Sequence, residues 1–509
     1  MGSLERAVGQ LLMVGVPGKE ADDDFLRELE KWGAGGVIFF SRHLGSLSHF
    51  KKQLARLEEA NGGPLLFAID HEGGPVLRFG REVSELPSAM ALAAAGDEKT
   101  TEAATKLAGS ELRKLGLNVN LAPVCDINAP ENPGIGIRSY GDEPEHVAKY
   151  IAAAIRGFQA GGVMATAKHF PGKGAATVDA HIALPTVDAS RETLLSRELV
   201  PFRAAKEANA GLMMTSHVIY PAIDGENAAT FSSKLVAELL RGEIGFEGAV
   251  VTDDLEMGGA RAQCEPAEAA LRTIKAGHDL ALICHTFTAQ CKARETIKAA
   301  VESGELSSGI FEAAGNRVQR TIARAAEMKA ADDVDKGIID ELAGKSIVRL
   351  GGGEAVIPLS VAKSINPIVY VPDLGVLGPG VDDRTGAIST VLQALREVLP
   401  TFRVRRFSQS GKPLGGWDGA IVGGTPAIIF TVNAHLRKGQ AALLARVIEE
   451  SQTVVHVALR NPFDLEFTPD YPAFARIASL GYRHNVQQIL ADVLLGKTKA
   501  LGKLPVEII

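Results

Sequence analysis

The sequence predicts an α/β protein in which an N-terminal (β/α)8 barrel of the TIM type precedes a C-terminal α/β sandwich of three layers. The 509 residues exceed what a single hydrophobic core usually organises. Between about residues 10 and 285, eight short apolar runs alternate with stretches of helical periodicity. Near-continuous apolarity is typical of parallel strands buried on both faces, and intervals of roughly 25 to 55 residues fit strand–helix units with right-handed crossovers.

The eight apolar runs give the predicted strands of the barrel. Amphipathic stretches between them, such as 22–31 and 191–209, predict the surrounding helices. The predicted strands are 10–16, 35–40, 65–70, 119–125, 163–170, 211–217, 248–254 and 278–285.

Polar side chains collect at the C-terminal ends of these runs or just beyond them. In a (β/α)8 barrel this rim is the face that carries the active site. The alternative is that polar residues only terminate the strands. This would account for one or two polar residues at strand ends, but it accounts poorly for seven. The seven residues are Asp70, Asp126, Lys168, His169, His217, Asp253 and Asp254.

A second domain is predicted after the barrel. Helical periodicity ends near residue 330, and the polar segment 331–337 reads as a linker. We therefore expect a catalytic barrel over 1–330 and an α/β sandwich over 338–509. Its predicted strands are 367–371, 419–422, 427–432 and 453–458, and its predicted helices include 441–450 and 486–495.

The composition excludes several classes of protein. Hydrophobic residues make up 46% and charged residues 23% of the chain, and the mean hydropathy is +0.08, which is typical of neither a membrane-embedded nor a disordered protein. The 54 Lys and Arg against 61 Asp and Glu give a net charge of −7 without a long basic run. This balance argues against nucleic acid as the main partner and leaves a small or neutral ligand.

The four cysteines and the N-terminal stretch carry no special signal. Cys125, Cys264, Cys284 and Cys291 lack CxxC or zinc-like spacing, so we expect no disulfide framework, metal or other cofactor. The first 18 residues contain only a short apolar run, 11–16, without the basic start and long apolar region of an export signal. We therefore expect a cytoplasmic protein that does not associate with membranes.

The most informative stretch for chemistry is 168–185, KHFPGKGAATVDAHIALP. Its glycines and small residues form a loop that carries Asp179 and His181. A carboxylate two residues from an imidazole can accept a hydrogen bond from Nδ1–H and raise the basicity of the other nitrogen, which suits a general acid/base near neutral pH. A phosphate-binding loop or a plain surface turn is the alternative, although phosphate binding favours a glycine-rich turn that runs directly into a helix.

Two adjacent carboxylates, Asp253 and Asp254, follow the seventh predicted strand. Side chains alternate along a strand, so we expect only one of them to point into the barrel mouth. A carboxylate there, facing a separate acid/base, is the arrangement of a retaining glycosidase. Mg²⁺ or Ca²⁺ binding is the alternative, but such sites need more oxygen ligands than this strand end supplies.

Further polar groups for a neutral ligand are Asp70 and Arg78 after the third strand and Arg138 in a later loop. Carboxylate and guanidinium groups at a rim can hold sugar hydroxyls or an amide carbonyl through charge-assisted hydrogen bonds. For either arginine alone, a solvated surface position is an equally good interpretation.

Several motifs of the barrel half resemble the β-N-acetylhexosaminidase branch of glycoside hydrolase family 3. By this resemblance Asp253 is the nucleophile, and His181, held by Asp179, is the acid/base. The resemblance also implies that the substrate is bound by Asp70, Arg78, Arg138, Lys168 and His169. We add His217 to the substrate-binding residues because it lies at the rim of the predicted barrel. The closing stretch ADVLLGKTKALGKLPVEI resembles the end of the second domain in two-domain members. The motifs are AIDHEGGPVLRF, NVNLAPVCDIN, GIRSYG, KHFPGKG, TVDAH and VVTDDLEM, in the order of the family.

The chain departs from the family pattern at a few positions. His71 and Pro75 alter DQEGGR, Lys173 replaces the histidine of KHFPGHG, and Ala180 replaces the usual Ser or Thr between the dyad residues. None of these changes removes a catalytic group. Lys173 adds a positive charge near the loop, which could favour an anionic aglycone.

The resemblance implies an exo-acting retaining β-N-acetylglucosaminidase that releases terminal β-linked N-acetylglucosamine. Cell-wall muropeptides, as in peptidoglycan recycling, or chito-oligosaccharides are the expected substrates. One alternative is a β-N-acetylglucosaminide phosphorylase, because a histidine acid/base avoids the repulsion that a carboxylate would present to phosphate. The other is a catalytically silent glycan-binding protein.

Overall fold

The computed structural model of the protein describes residues 3–79, 83–359, 366–374, 388–399 and 401–508. Its N-terminal half forms a parallel sheet of eight strands in the order β8-β1-β2-β3-β4-β5-β6-β7. A bridge between Val251 and Leu280 brings the two ends of this sheet together, which confirms the predicted barrel. The strands are β1 Leu12–Gly15, β2 Gly36–Phe39, β3 Leu66–Ile69, β4 Val119–Asn120, β5 Met164–Phe170, β6 Leu212–Thr215, β7 Ala249–Thr252 and β8 Ala281–Ile283.

All eight predicted barrel strands are present, but β4 is shorter than the predicted run 119–125. Pro123 has no N–H to donate to a neighbouring strand. Beyond β4, Thr166 N–H of β5 still donates to the carbonyl of Ala122 at 2.9 Å, and an isolated bridge joins Val124 to Lys168. The polar residues after this point therefore lie in loop conformation at the barrel mouth.

Helices surround the barrel because each buries one apolar stripe. In Asp23–Trp32, the carboxylate of Asp22 accepts the N–H of Phe25 at 2.9 Å, and Phe25, Leu29 and Trp32 are buried. Lys234–Glu243 and Leu194–Glu198 are π-helical. The other helices of this half are Ser3–Gly9, Leu47–Asn61, Ala89–Ala95, Glu98–Lys114, Pro144–Gly161, Arg191–Thr193, Val200–Glu207, Gly258–Arg261, Pro266–Ala276, Phe287–Ser303 and Ser308–Glu327.

Helix Ser308–Glu327 closes the end of the barrel where the strands begin. Its side chains Val318, Ile322 and Ala325 are buried in the same apolar cluster as Met164 and Leu212 of the strands. A short hairpin of Ile219–Tyr220 and Asp224–Ala228 lies at the opposite end, after β6.

The C-terminal half contains a seven-stranded sheet in the order β9-β15-β14-β13-β10-β11-β12. The outer strands β9 and β12 are antiparallel to their neighbours, and the other pairs are parallel. The strands are β9 Val348–Arg349, β10 Ile368–Pro372, β11 Arg403–Phe407, β12 Pro413–Leu414, β13 Ala427–Thr431, β14 Val454–Ala458 and β15 Phe474–Ala478.

Helices cover both faces of this second sheet. Ser389–Val398 and His484–Leu494 pack on one face, against Val369 and Val371 of β10 among others. Lys438–Glu450 packs on the other face, against Ile368 and Tyr370. Alternate residues of one strand thus belong to two cores, which confirms the three-layer sandwich.

One predicted strand of the second domain is wrong. The segment 419–422 has no strand conformation. Gly419 has a φ of +84° and Gly424 a φ of +69°, so the chain bends at both ends of the apolar run and cannot extend. The neighbouring strand is instead β11, whose sequence RVRRF is mostly exposed and gave no apolar signal.

The position of the predicted linker, 331–337, contains neither helix nor strand. Helix Ile338–Lys345 follows it, and Ile338, Ile339 and Leu342 of this helix join the apolar cluster of the barrel. The boundaries 1–330 and 338–509 stay a prediction.

The second domain packs against loops at the mouth of the barrel. His435 Nε2 lies 3.1 Å from the carbonyl oxygen of Pro130, and Arg483 Nε donates to the carbonyl of Gly74 at 3.0 Å. Ser88 Oγ donates to the carbonyl of Leu480 at 2.7 Å. Within the described ranges, no helix is both long enough and apolar enough to cross a bilayer.

Candidate active site

A cavity of about 280 Å³ opens at the end of the barrel where the strands terminate. It brings together four predicted site residues, Asp70, Arg78, His181 and Asp253. Ligand sites usually span roughly 300–1,000 Å³, so the cavity suits one small ligand. It is lined by Ile38, Phe40, Asp70, Arg78, Leu121, His181, Met214, Asp253, Asp254, Glu256, Met257, Leu282, Cys284 and His285.

Asp253 is the first residue after β7, and its N–H donates to the carbonyl of Thr215 at 3.1 Å. Its Oδ2 lies 3.9 Å from Lys173 Nζ and 3.9 Å from His169 Nε2. Burial alone would raise the pKa of this carboxyl, but Lys173 and, after it, His217 lower it below its ordinary value. Asp253 is therefore an ionised carboxylate inside the cavity.

Asp254 also lines the cavity, contrary to the expectation that only one of the two neighbours does. The reason is that β7 ends at Thr252, so the alternation of a strand no longer applies. Its Oδ1 accepts the N–H of Glu256 at 3.1 Å and that of Cys284 at 3.2 Å. Burial, with the charge of Glu256, raises the pKa of Asp254 to about 7, so this carboxyl is partly protonated at neutral pH.

Asp179 and His181 form a hydrogen-bonded pair. His181 Nδ1 lies 2.7 Å from Asp179 Oδ1, and the same oxygen accepts the N–H of His181 at 2.9 Å. Burial would raise the pKa of Asp179, but the hydrogen bonds with His181 lower it to about 2. An ionised Asp179 fixes Nδ1 as the donor, and His181 Nε2 has no hydrogen-bond partner among the described residues.

The loop that carries this pair is docked against the segment that follows Asp253. Gly259 N–H donates to the carbonyl of Ala180 at 2.9 Å, and Gly258 N–H donates to that of His181 at 3.3 Å. A Cβ at Gly258 would lie 2.7 Å from the carbonyl oxygen of Ile182. This approach is possible only for glycine.

Charged residues beneath the cavity form one network in which positive and negative side chains alternate. Arg78 and Lys168 donate to Asp70 at 3.0 and 2.8 Å. Lys168 Nζ also lies 2.6 Å from Glu72, which accepts two bonds from Arg138 at 2.7 and 2.8 Å. Burial would raise the pKa of Glu72, but Arg138 and Lys168 lower it to about 2. The same balance, with Lys168 and Arg78, holds the pKa of Asp70 well below its usual range, so the network is fully ionised.

His169 is oriented by Asp126. Its Nδ1 lies 2.7 Å from Asp126 Oδ2, and Asp126 Oδ1 accepts the N–H of Lys173 at 2.7 Å. Burial and the charge of Lys173 hold the pKa of His169 well below its ordinary value. A neutral imidazole that donates through Nδ1 keeps Nε2 as an acceptor toward the cavity side.

His217 lies behind the cavity and does not line it. It is fully buried, with Nδ1 at 2.8 Å from Thr230 Oγ1 and Nε2 at 2.8 Å from the carbonyl oxygen of Asp254. With both ring nitrogens engaged, it has no free group for the substrate contact that its position suggested. This place fits a residue that positions the Asp253–Asp254 turn.

The profile described as "Glycosyl hydrolase family 3 N terminal domain" matches residues 3–321. The chain belongs to glycoside hydrolase family 3. It is 36% identical over 281 residues to a "Beta-hexosaminidase" of Xylella fastidiosa (strain 9a5c), covering 54% of this chain and 83% of that protein. It is also 36% identical over 277 residues to "Beta-hexosaminidase A" of Pseudoalteromonas piscicida, but this match spans only 46% of that relative.

Solved structures extend the similarity to both domains. A family 3 β-N-acetylglucosaminidase from Paenibacillus sp. str. FPU-7 superposes with a TM-score of 0.89 at 35% identity, covering 100% of this chain and 99% of that one. A β-N-acetylhexosaminidase from Beutenbergia cavernae DSM 12333 matches with a TM-score of 0.59 at 32% identity, covering 64% of this chain and 99% of that one. These findings confirm the predicted family branch and the prediction that the protein is a glycoside hydrolase.

Three polar residues of this family 3 enzyme received no role from the sequence. Glu72 holds Arg138 and Lys168, Asp126 orients His169, and Asn132 donates to the carbonyls of Lys173 and Gly174 at 2.8 and 2.9 Å. Asp126 directly follows the predicted strand 119–125 and Glu72 closely follows the predicted strand 65–70, so their positions carried a signal. Asn132 sits in a loop, and no local pattern marked it.

The alternative of a divalent cation between Asp253 and Asp254 gains no support. Over the described part of the chain, no group of three or more His, Cys, Asp or Glu side chains has the arrangement to hold a metal ion. The four cysteines are unpaired thiols.

Proposed function

We propose that this family 3 enzyme is an exo-acting retaining β-N-acetylglucosaminidase. It would release terminal β-linked N-acetylglucosamine from cell-wall muropeptides or chito-oligosaccharides. The observation that carries the proposal is that ionised Asp253 and the Asp179-paired His181 line one cavity. The names of the relatives, β-hexosaminidase and β-N-acetylglucosaminidase, support the choice of sugar.

In the first step, the Asp253 carboxylate attacks the anomeric carbon and the glycosidic C–O bond breaks. His181 donates its Nε2 proton to the leaving oxygen, so the aglycone departs as a neutral alcohol. Ionised Asp179 stabilises the imidazolium before the transfer and keeps the proton on Nε2. The product of this step is a glycosyl ester of Asp253.

In the second step, neutral His181 accepts a proton from water at Nε2, and the oxygen of this water attacks the anomeric carbon. The ester bond breaks and Asp253 leaves as a carboxylate. Two displacements at one carbon retain the β configuration.

Asp70 and Arg78 are suited to hold the ring of the sugar because both line the cavity. Lys168 and Arg138 act behind them, since their charges fix Asp70 and Glu72 in place. Charge-assisted bonds from such preset groups to sugar hydroxyls favour one ring orientation. A cavity of this volume fits the removal of one terminal sugar at a time.

The test is hydrolysis of aryl β-glycosides of N-acetylglucosamine, N-acetylgalactosamine and glucose, compared by kcat/KM. We expect at least a thirtyfold preference for N-acetylglucosamine over glucose, which corresponds to about 2 kcal/mol of differential transition-state binding. Proton NMR of the first product should show the β anomer. Equal kcat/KM on the glucoside, or an α product, would contradict the proposal.

Phosphorolysis is a second candidate because of Lys173. This lysine is buried, and its Nζ lies 3.9 Å from Asp253. A cation there could hold phosphate as the acceptor in place of water. The formation of sugar 1-phosphate in preference to free sugar, on addition of inorganic phosphate, would establish it.

A further inference from the structure

A second cavity, of about 430 Å³, lies at the opposite end of the barrel from the catalytic cavity. Met164 is the first residue of β5, and Gly211 and Gly248 directly precede β6 and β7, so this wall is formed where the strands begin. The facing wall is helix Ser308–Glu327. No element of the catalytic mechanism uses this end of the barrel.

The lining of this basal cavity is strongly cationic. Lys206, Arg317, Arg320 and Arg324 face a single carboxylate, Glu247. The whole chain, by contrast, carries a net charge of −7. The concentration of positive charge in one concave site is therefore a local feature and not a consequence of composition.

Three of these cations project from one face of the helix. Arg317, Arg320 and Arg324 are spaced by three, four and seven residues, which places them side by side. Like charges at these spacings repel one another and destabilise a helix. A bound anion would remove this cost.

Among the described residues, only one of the three arginines has a carboxylate partner. Arg317 Nε lies 2.6 Å from Asp279 Oδ1, and the other oxygen of Asp279 is shared with Arg241 at 2.5 Å. Arg320 and Lys206 are exposed, and neither forms an ion pair with any described residue.

Arg324 is bonded only to neutral groups. Its Nη2 donates to the carbonyl of Asn209 at 3.1 Å and to Gln159 Oε1 at 3.3 Å. These contacts aim the guanidinium at the cavity without compensating its charge. Burial lowers the pKa of Arg324, and no neighbouring carboxylate offsets this effect.

We propose that this basal cavity binds a small molecule that carries a phosphate group. Arginine side chains match phosphate oxygens with two parallel hydrogen bonds, and several cations around one cavity favour a dianion over a single carboxylate. A concave site of about 430 Å³ suits a small ligand, whereas a protein or nucleic acid would need a broader surface. The phosphate could be free or could belong to a phosphomonoester.

The experiment is isothermal titration of the full chain with inorganic phosphate and with glycerol 3-phosphate, at constant ionic strength. Glycerol and chloride are the ligand controls. We expect binding of at least one of the two phosphates and none of the controls. Tighter binding of glycerol 3-phosphate would indicate a phosphomonoester, and tighter binding of inorganic phosphate would indicate the free ion.

The variants Arg320→Gln and Lys206→Gln test whether phosphate binds in the basal cavity. Both side chains are exposed and unpaired, so the fold should tolerate the changes, and hydrolysis of the aryl glycoside should stay normal. We expect the double variant to bind phosphate at least about tenfold more weakly. Arg56→Gln, an exposed arginine on helix Leu47–Asn61, is the matched control and should bind as the unmodified protein does.

Two outcomes would overturn the inference. One is the absence of binding at millimolar phosphate, and the other is binding that the double variant leaves unchanged. Binding that is lost in Lys173→Met but kept in the double variant would place phosphate in the catalytic cavity, where Lys173 is the nearest cation to Asp253. Each of these results is independent of whether the enzyme prefers N-acetylglucosamine.

Discussion

Lys173 Nζ lies 3.9 Å from the carboxylate oxygen Oδ2 of Asp253 at the barrel mouth, where Lys173 is buried and the Asp253 side chain keeps 17% of its surface exposed. Burial lowers the pKa of Lys173 below its ordinary value, although the charge of Asp253 opposes the shift. The lysine in turn is the largest charged influence that keeps Asp253 ionised. Lys173 stands where the motif KHFPGHG of the resemblance has a histidine, so this pair is a departure from that motif.

Replacing Lys173 should change the pH dependence of the enzyme. In Lys173→Met the carboxylate of Asp253 loses a neighbouring cation, so its pKa rises and the acidic limb of the kcat/KM profile moves to higher pH. Lys173→Arg keeps the charge and should keep the limb in place. An unchanged profile in Lys173→Met would mean that the lysine does not act on the nucleophile.

Asp253→Asn should remain folded and lose activity by about three or more powers of ten, because no covalent intermediate can form. The measurement is steady-state hydrolysis of the aryl β-glycoside of N-acetylglucosamine. Asp254→Asn is the neighbouring control and should stay within about tenfold of the unmodified enzyme. The opposite result, an active Asp253 variant and an inactive Asp254 variant, would reverse the assignment.

Asp254 should also make the free energy of unfolding depend on pH. Its pKa is raised from 3.8 to about 7 in the folded protein. Between these values the folded state holds a proton that the unfolded chain releases, so this group contributes stability that is present below about pH 4 and is lost as the pH rises through about 7. We expect Asp254→Asn to flatten the decline of unfolding free energy over this range, as measured by urea denaturation at several pH values. An equally steep decline in the variant would argue against the raised pKa.

His181→Ala should affect substrates according to their leaving groups. Poor leaving groups need the proton from His181, whereas activated aryl glycosides depart with little protonation. Asp179→Ala should show the same pattern more weakly, because the imidazole remains but loses its orienting carboxylate. A series of aryl glycosides with graded leaving-group pKa values measures the effect.

Azide supplies a second readout for the same variant. It attacks the glycosyl ester without needing a base, so it should restore turnover of an activated substrate by His181→Ala and give a β-glycosyl azide. Uniform slowing of all substrates without rescue would require another acid/base. Glu72, close to the end of the third barrel strand, is the candidate that its position suggests, but Arg138 and Lys168 hold its pKa at about 2, which makes it a poor proton donor.

The second domain should influence catalysis through one histidine. His435 Nδ1 lies 2.7 Å from Asp464, and its Nε2 contacts the carbonyl of Pro130. Pro130 belongs to the same loop as Asn132, which holds the backbone carbonyl of Lys173. We expect His435→Ala to lower kcat/KM by about three- to tenfold through loss of this hydrogen bond. His484→Ala, an exposed histidine of the same domain, is the control, and equal activity of the two variants would contradict the prediction.

The sequence predicted the barrel because its strands are buried on both faces, so each appears as a continuous apolar run. The sequence did not predict β11 in the second domain, because RVRRF contains three arginines and lies on a largely exposed strand. A run of apolar residues indicates that a segment is buried, but it does not show that the backbone is extended. The same limitation made the glycine-bounded run 419–422 look like a strand.

The sequence located the rim residues but not their pairing. Lys168 contacts both Asp70 and Glu72 across nearly one hundred residues of chain. Only the parallel order β3-β4-β5 in the sheet brings the ends of β3 and β5 to positions where one ammonium group can join two carboxylates. In the same way, the presence of both Asp253 and Asp254 in one cavity depends on where β7 ends, which the pattern of residues does not mark.

The two backbone hydrogen bonds between the loop of His181 and residues 258–259 have a consequence for turnover. They connect the loop of the proposed proton donor, His181, to the segment that follows the proposed nucleophile, Asp253. The same two hydrogen bonds therefore hold both groups in place. If this loop moved away from the barrel, both hydrogen bonds would break and the turn after Asp253 would lose their support at the same time. With the proposed roles of the two residues, such an open enzyme would have neither the proton donor nor the nucleophile in position, so it would not form a glycosyl ester that it could not hydrolyse.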